Sequence, residues 1–287
     1  MKTIIYILLA VMLSSMFIPN HPKQKQEPTR TVTLQSTASN TDAARMNQSA
    51  GIIKKRLLAV GLSHFILVPD PAQATLTVRF EKPKDSQRAG ELLTDKGHLA
   101  FAETVDRSRI LSQIPENDRL FSLMDIPSAD AKNMAADVLG YAKPASVKAV
   151  NAYLATAPWW QKMSGTMQLA WGIAPNDKHQ MVLHILKRPE ALSGLAVSEA
   201  SVTDGQPSVQ ITFNEAGRQT WQEVTRRNIG KPLAIVIDNR VYFAPVVRDE
   251  IKGGKCNITG NFTHDELTRL AALINNGELP VGFRMVR

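Results

Sequence analysis

Residues 228–238, NIGKPLAIVID, form the stretch of sequence that decides the fold. Its apolar run, residues 233–237, predicts a strand buried on both faces, because turn residues bound it on each side. Gly230 predicts the end of a preceding helix, since glycine adopts the left-handed conformation that helix ends favour. The Asp-Asn-Arg that follows the run predicts a turn into a second strand, residues 241–244.

The residues around this stretch continue the same strand and helix pattern. Residues 208–213 alternate as a strand does, and Asn214 can cap the helix that runs to Asn228. Thr263 and Glu266 have the spacing of a capping box, which predicts a second helix that ends at Gly277. A last strand is predicted between residues 279 and 285.

The first hundred residues have a similar rhythm. A strand at 31–35 precedes a helix at 42–60, whose apolar residues fall on one stripe and are followed by Gly61. The stripe consists of Ala43, Met46, Ala50, Ile53, Leu57 and Val60. The elements predicted next are strands at 65–68 and 75–80 joined by a Pro69-Asp70-Pro71 turn, a helix at 86–95 and a strand at 98–104.

The middle of the chain differs from both ends. Helices are predicted at 128–139 and 146–155, followed by a β-hairpin of residues 166–173 and 180–187 around Pro175-Asn176-Asp177. This block is predicted to be an insertion with a small core of its own.

These patterns predict an α+β fold with ferredoxin-like packing. Two β-α-β halves would form a base that shares one sheet, and an inserted, largely helical head subdomain would separate them. The predicted boundaries are 1–18 for a signal peptide or membrane anchor, 19–30 for a flexible linker, 31–104 for the first half of the base, 105–190 for the head and 191–287 for the second half.

The amino terminus predicts export across a membrane. Lys2 precedes an apolar run, residues 4–18, that stops at Pro19. Such a helix would be about 22 Å long against a hydrocarbon core of about 30 Å. A cleaved signal peptide and a short membrane anchor both remain open, and either places the rest of the chain in the periplasm or on the outer face of the inner membrane.

Composition favours a globular protein and argues against several classes of site. The net charge is +8, but Lys and Arg are scattered in runs of at most three, so we expect a solvated basic surface and no nucleic-acid partner. Cys256 is the only cysteine and is interpreted as a spectator. The six histidines form no pair at helical-turn spacing, and no catalytic motif is present. We therefore expect no metal, no cofactor and no enzymatic activity.

Several blocks in the carboxy-terminal third resemble the periplasmic domain of the protein-export membrane protein SecD. They occur in the family's order and spacing, which makes the resemblance more specific than a single motif. Besides residues 228–238 they are Leu192-Ser193-Gly194, Ala200-Ser201-Val202, Phe213-Asn214-Glu215, Ala244-Pro245, Gly253-Gly254, residues 258–263, Glu266-Leu267, Asn276-Gly277 and Leu279-Pro280. The resemblance implies structural roles for Gly230, Asp238, Ala244, Pro245, Gly253, Gly254, Gly260, Phe262, Gly277 and Pro280.

The resemblance also implies a function and partners. In the SecD family this domain assists the Sec channel late in export, and its head is thought to contact the emerging polypeptide. The implied partners are the Sec translocon or a membrane-bundle partner and unfolded preprotein. The family's proton-relay residues lie in a membrane bundle that would follow Arg287, so we expect no proton-driven motor in this chain.

Aromatic residues in the middle block are the candidate polypeptide-binding residues. Tyr153, Trp159, Trp160 and Trp171 could offer contact area to a ligand, or they could build the core of the insertion. The alternative function is a non-catalytic adaptor at the cell envelope that docks on a partner through its base.

Overall fold

The computed structural model describes residues 29–39, 41–128, 134–203, 205 and 207–286. The β-strands in this part of the chain are β1 (Arg30–Ser36), β2 (Phe65–Asp70), β3 (Thr75–Phe80), β4 (Leu99–Glu103), β5 (Val138–Ala142), β6 (Met167–Gly172), β7 (Met181–Lys187), β8 (Leu192–Ser193), β9 (Val197–Val202), β10 (Ser208–Phe213), β11 (Leu233–Ile237), β12 (Arg240–Phe243), β13 (Lys255–Thr259) and β14 (Phe283–Val286). The α-helices are α1 (Ala43–Ala59), α2 (Pro83–Thr94), α3 (Ser108–Leu111), α4 (Leu120–Leu123), α5 (Val147–Leu154), α6 (Pro158–Gln161), α7 (Glu215–Arg227) and α8 (His264–Asn276).

The two ends of the described chain build one antiparallel sheet in the order β14-β1-β3-β2. Helices α1 and α2 lie on one face of this sheet and share its core. We call the sheet and its two helices the four-stranded layer. Its element order along the chain is β-α-β-β-α-β, the pattern of ferredoxin-like folds. Residues 99–276, which run from β4 to α8, separate its fifth element from its sixth, and we call them the inserted segment.

Helix α1 forms where the apolar stripe predicts it. The Asp42 carboxylate accepts a hydrogen bond from the Arg45 amide at 2.7 Å and caps the first turn. Gly61 adopts φ +78° just after the last turn, the left-handed conformation that ends a helix. One face of the helix is buried against the sheet, which fixes the orientation of the helix. The residues on this face are Met46, Ser49, Ala50, Ile53 and Leu57.

The inserted segment contains two further sheets. A seven-stranded sheet has the order β5-β7-β6-β12-β11-β4-β8, and a three-stranded sheet has the order β13-β10-β9. The predicted β11–β12 hairpin is confirmed: Asp238 and Asn239 both adopt positive φ, as a type I′ turn requires. The predicted β6–β7 hairpin is confirmed as an antiparallel pair.

Helix α8 connects the two parts of the molecule. The predicted capping box at its start is confirmed, since the Thr263 hydroxyl accepts from the Glu266 amide and the Glu266 carboxylate accepts from the Thr263 amide. One face of α8, including Leu267, is buried in the core of the inserted segment. The opposite face, Ala272 and Leu273, is buried in the core of the four-stranded layer. Helix α8 therefore contributes side chains to both hydrophobic cores.

Three sequence predictions were wrong in part. The two halves do not share one sheet; instead the last block gives β14 to the four-stranded layer, and β4 of the first block pairs with β11. The predicted helix at 128–139 ends inside a strand, because Val138–Ala142 pairs with β7; residues 129–133 lie outside the described part. The middle block is not largely helical, since β5, β6 and β7 make up much of its ordered structure.

Smaller corrections concern element ends. Strand β2 continues to Asp70, so that Pro69 lies in an edge strand, where a missing amide hydrogen is tolerated. The predicted linker overlaps the structure at its end, because Arg30 already belongs to β1. The predicted signal peptide or anchor, residues 1–18, lies outside the described residues. Among the described helices, none is long and apolar enough to span a bilayer.

Candidate functional site at the junction of the two parts

The predicted aromatic pair lies in the core of the middle block. Trp159 and Trp160 are 7% and 9% exposed, and their rings meet edge to face with centroids 6.2 Å apart. They pack with α5 and the β6–β7 hairpin. A shallow cavity of about 220 Å³ opens beside Trp160, between α5 and β6. The two tryptophans therefore lie in the core of the middle block, and Trp160 also lines the shallow cavity.

The other two predicted aromatic residues are held by hydrogen bonds. The Tyr153 hydroxyl donates to the Asp118 carboxylate at 2.6 Å. The Trp171 indole donates to the Asn151 side chain at 2.8 Å. All four aromatic residues therefore belong to one packed cluster, and a role in binding polypeptide stays a prediction.

The residues predicted to be structural by resemblance all lie in connections between helices and strands. They are Gly230, Asp238, Ala244, Pro245, Gly253, Gly254, Gly260, Phe262, Gly277 and Pro280. Two of them, Asp238 and Gly277, meet at residues 95–98, which we call the junction loop. This loop connects α2 of the four-stranded layer to β4 of the inserted segment.

The guanidinium of Arg56 organises the junction loop. Arg56 is fully buried at the inner end of α1. It donates to the carbonyl oxygens of Asp95, Lys96 and Gly277 at 2.6, 2.9 and 2.5 Å. Burial lowers the pKa of Arg56 to about 10, although Asp238 and Asp95 oppose the shift, so the group stays charged at neutral pH. The Arg56 side chain thereby links α1 to both connections between the four-stranded layer and the inserted segment, the one after α2 and the one after α8.

Asp238 holds the junction loop from the inserted segment. Its carboxylate accepts from the amides of Gly97 and His98 at 3.0 and 2.9 Å. Gly97 adopts φ +80°, and a Cβ there would collide with the Arg56 guanidinium. The position therefore requires glycine, both for its backbone conformation and for the close approach.

Ion pairs surround the same loop. Arg240 contacts the Asp95 carboxylate at 2.8 Å. Glu278 accepts from Lys96 at 2.5 Å and from the His98 ring at 2.8 Å. Burial raises the pKa of Glu278, but the hydrogen bonds from Lys96 and His98 outweigh it and leave the pKa below its usual value.

A cavity of about 400 Å³ lies next to the junction, between α2 and α8. Helix α2 supplies one wall and is kinked there at Gly90, which has φ +6° and ψ −100°. Leu270 and Leu273 of α8, with Phe262, form an apolar surface, and Tyr242 of β12 lies beside them. The four-stranded layer, the β6–β7 turn and the last block all contribute, so the cavity exists only in the assembled fold.

Two donor groups on the wall of this cavity make no hydrogen bond or ion pair within the described residues. Among the described residues, neither the Arg269 guanidinium nor the Tyr242 hydroxyl makes a hydrogen bond or ion pair, although both line the cavity. Burial raises the pKa of Tyr242 to about 12, so its hydroxyl keeps its proton. A concave, partly apolar surface with a few convergent polar groups is suited to binding a ligand. Among the described residues no group of His, Cys, Asp or Glu is arranged to hold a metal ion.

The sequence did not predict a site role for Arg56, Tyr242 or Arg269. A signal existed for Arg56, because it follows Ile53 by three positions and adjoins Leu57, which puts a charge on the apolar stripe of α1. Tyr242 and Arg269 carried no comparable signal, since their importance depends on the cavity that the fold creates.

Comparisons with known proteins agree with the predicted resemblance. Residues 172–281 match the family described as the SecDF P1 head subdomain. The chain is 43% identical over 101 residues to the protein translocase subunit SecD of Leptotrichia buccalis, covering 34% of this chain and 25% of that protein. It is 43% identical over 100 residues to the SecDF subunit of Thermus thermophilus, covering 34% of this chain and 14% of that protein. The resemblance to a SecD periplasmic domain is thus confirmed.

A solved structure of SecDF, described as a membrane component that enhances protein export, has a similar fold. It superposes with a TM-score of 0.54 over 90% of this chain and 98% of that chain, at 23% identity. Identity at this level shows the fold alone. The chain spans a quarter or less of the length of the two SecD and SecDF relatives named above.

Proposed function

We propose that this chain provides a SecD-like extracytoplasmic domain that assists Sec-dependent protein export by binding emerging polypeptide, without being a proton-driven motor itself. The observation that carries the proposal is the match of residues 172–281 to the SecDF P1 head subdomain. The similarity of fold over 90% of the chain supports it. The proposed partners are the Sec translocon, or a membrane-bundle partner, and unfolded preprotein.

The proposed location is the periplasm or the outer face of the inner membrane, with attachment through the amino terminus if residues 1–18 are retained. The proposal requires no cofactor, no catalytic residue and no nucleic acid. The proposed boundaries for base and head, at residues 104/105 and 190/191, are those predicted from the sequence, whereas the SecDF P1 head model spans residues 172–281 and so covers most of the proposed second half of the base.

Two surfaces are proposed to contact polypeptide. The first is the cavity between α2 and α8, because it combines apolar walls with unpartnered donors. The second is the shallow cavity beside Trp160, where Tyr153, Trp159 and Trp171 support the wall from inside. Because Trp159 and Trp160 are buried, we propose that they support the wall of this cavity, and that exposed neighbouring residues make most of the contact with polypeptide.

Site-specific photocrosslinking tests this proposal. Photoreactive side chains are placed at Gln87, on the rim of the larger cavity, and at Gln161, on the rim of the shallow one; both positions are exposed. A reduced, permanently unfolded secretory protein should crosslink at one or both positions, and its folded form should not. Lys55, exposed on α1, gives the background. Crosslinking no stronger than at Lys55 would refute polypeptide binding at these surfaces.

The adaptor function has one specific observation in its favour. The four-stranded sheet carries α1 and α2 on one face, and Ile66, Val68 and Val286 are 57%, 53% and 43% exposed. Contiguous exposed apolar patches mark docking surfaces; Ile66 and Val68 lie two positions apart on the edge strand β2, whereas Val286 lies on the opposite edge strand β14. If the adaptor function is correct, photoreactive groups at Ile66 or Val68 should crosslink to one envelope protein in cells, while Gln87 and Gln161 give no crosslink to unfolded protein.

A further inference from the structure

We infer that the cavity between α2 and α8 selects polypeptide segments in which a carboxylate side chain stands next to a large apolar residue. This inference rests on the proposed function and names the class of segment that the site would take. It starts from two groups on the cavity wall, Arg269 and Tyr242, that make no hydrogen bond or ion pair within the described residues, although the charge of Arg269 also interacts with the Glu266 carboxylate.

The Arg269 guanidinium is half-buried on α8 and has five N–H donors. Within the described chain it forms no hydrogen bond and no ion pair. An arginine fork binds a carboxylate through two parallel hydrogen bonds, which is the strongest pairing open to it in a partly enclosed site. The Tyr242 hydroxyl adds a neutral donor, since its raised pKa keeps it protonated.

The charges around the cavity nearly balance. Arg88, Arg240 and Arg269 line it together with the carboxylates of Glu91 and Glu266. The Glu266 carboxylate is already bound by the amide and hydroxyl of Thr263 at 2.7 and 2.8 Å.

Two more carboxylates complete the electrostatic surroundings. Asp95 pairs with Arg240, so that this arginine is largely neutralised. Asp265 lies beyond the cavity, where it lines a neighbouring small pocket with Arg88 and Arg269. Glu91, on α2, is the carboxylate that opposes an incoming anion most directly, and it would attract a lysine. The lining residues, three arginines and two glutamates, sum to a net charge of +1, and the sum becomes −1 once Asp95 and Asp265 are included. Net charge therefore does not select an anion, and the selection depends on the hydrogen bonds that Arg269 and Tyr242 can donate to a carboxylate.

The apolar part of the wall determines what stands beside the carboxylate. Phe262 and Ile173, both partly exposed, line the cavity beside Tyr242 and supply its apolar contact area, and the buried Leu270 and Leu273 form the wall behind them. The volume of about 400 Å³ is within the range of small-ligand sites and suits two neighbouring side chains. A leucine or phenylalanine next to the acidic residue would cover this surface.

The test uses three fluorescently labelled peptides of ten residues that differ at one position, Glu, Gln or Lys, next to a central leucine. Their affinities for the full chain are measured by fluorescence anisotropy. The Glu peptide should bind about five- to tenfold more tightly than the Gln peptide, and the Lys peptide should bind most weakly. Arg269→Gln should remove most of the Glu–Gln difference, because the Glu peptide should lose more affinity than the Gln peptide, whose amide oxygen is a weaker acceptor for the guanidinium. Tyr242→Phe should reduce the difference, and Lys55→Gln should leave it intact.

The outcomes separate this inference from the proposed function. Equal binding of the three peptides, or an Arg269→Gln variant that weakens the Glu and Gln peptides alike, would overturn carboxylate selection and leave polypeptide binding standing. Tighter binding of the Lys peptide would assign selection to Glu91 and overturn the inference as well. Absence of binding by every peptide would overturn both. The Arg269 guanidinium makes no hydrogen bond or ion pair within the described residues, and its attraction to the exposed Glu266 carboxylate is of a kind that contributes little to stability, so thermal unfolding of Arg269→Gln should nearly match that of the unmodified chain.

Discussion

Replacing Arg56 by methionine should remove the tie between α1 and the junction loop while preserving most of the side-chain volume. The guanidinium makes three hydrogen bonds to carbonyl oxygens, and hydrogen bonds to charged groups contribute about 1.5–3 kcal/mol each. Their gross sum of roughly 4.5–9 kcal/mol is offset by the cost of burying the charge. We therefore expect Arg56→Met to lower the free energy of unfolding by about 3–5 kcal/mol, as when one partner of a buried polar group is removed.

Two spectroscopic signals make this measurement specific. All four tryptophans, Trp159, Trp160, Trp171 and Trp221, belong to the inserted segment. Urea unfolding followed by circular dichroism reports both parts of the molecule, whereas tryptophan fluorescence reports the inserted segment. Arg56→Met should move the circular dichroism transition more than the fluorescence transition, because the four-stranded layer loses its buried support.

Matched variants provide the controls. Lys55→Met, at the exposed neighbouring position, should change stability by no more than about 0.5 kcal/mol. Arg56→Lys keeps the charge but lacks the planar fork that reaches three carbonyl groups, so an intermediate loss is expected. If Arg56→Met unfolds within about 1 kcal/mol of the unmodified chain, or if Lys55→Met loses as much, the three hydrogen bonds do not stabilise the junction as described.

Three further predictions use the same preparation of the protein. Burial raises the pKa of Glu103, but hydrogen bonds from Lys187, Asn228 and Arg227 bring it to about 2, so up to about 3 kcal/mol of stability should be lost as pH falls from about 4.5 to about 2. Urea titrations of Glu103→Gln should show a flatter pH dependence there, and an unchanged slope would contradict the assignment. Gly97→Ala should cost about 1–3 kcal/mol in the same assay, because of its positive φ and the Arg56 contact, whereas Gly165→Ala, with open space around it, should cost less than about 1 kcal/mol. Burial raises the pKa of the Cys256 thiol to about 12. A disulfide reagent at pH 8 should therefore label the native chain at least about tenfold more slowly than the urea-unfolded chain. Equal rates of labelling would show that the thiol is open to solvent.

Local chemistry made several elements predictable from the sequence. The α1 stripe, the Thr263–Glu266 capping box and the Asp238-Asn239 turn each act over a few residues, so the pattern alone determines the structure. The buried strand β11 was predictable for a similar reason, since five apolar residues stand between turn residues. The SecD resemblance rested on these same blocks.

The partition of strands among sheets could not be predicted in this way. β4 and β11 pair across about 130 positions, and β1 and β14 pair across about 250. The composition of these four strands does not indicate which strand each of them pairs with, so the choice of partner depends on the packing of the whole fold. The first two residues of β5, Val138 and Leu139, were predicted as the end of a helix because a short apolar run has no periodicity that separates a strand from a helix.

The candidate site was the least predictable feature. Arg269 lies on α8, Tyr242 on β12 and Gly90 on α2, and only the assembled fold puts them around one cavity. The aromatic residues were predicted to bind polypeptide because large rings supply contact area, but large side chains also fill cores, and these belong to the core of the middle block.

The hydrogen bond from the Leu279 amide to the Lys96 carbonyl, 2.7 Å long, bears on the order in which the chain folds. Bringing Val286 beside Thr33 in an unfolded chain would close a loop of about 250 residues, at a cost of about 5 kcal/mol of chain entropy. Once residues 99–276 have folded, positions 96 and 279 are already neighbours, and β14 has only a few residues left to search. The inserted segment would then act as a folding template for the domain that surrounds it, and refolding of the outer sheet should be rate-limited by the folding of the inner one.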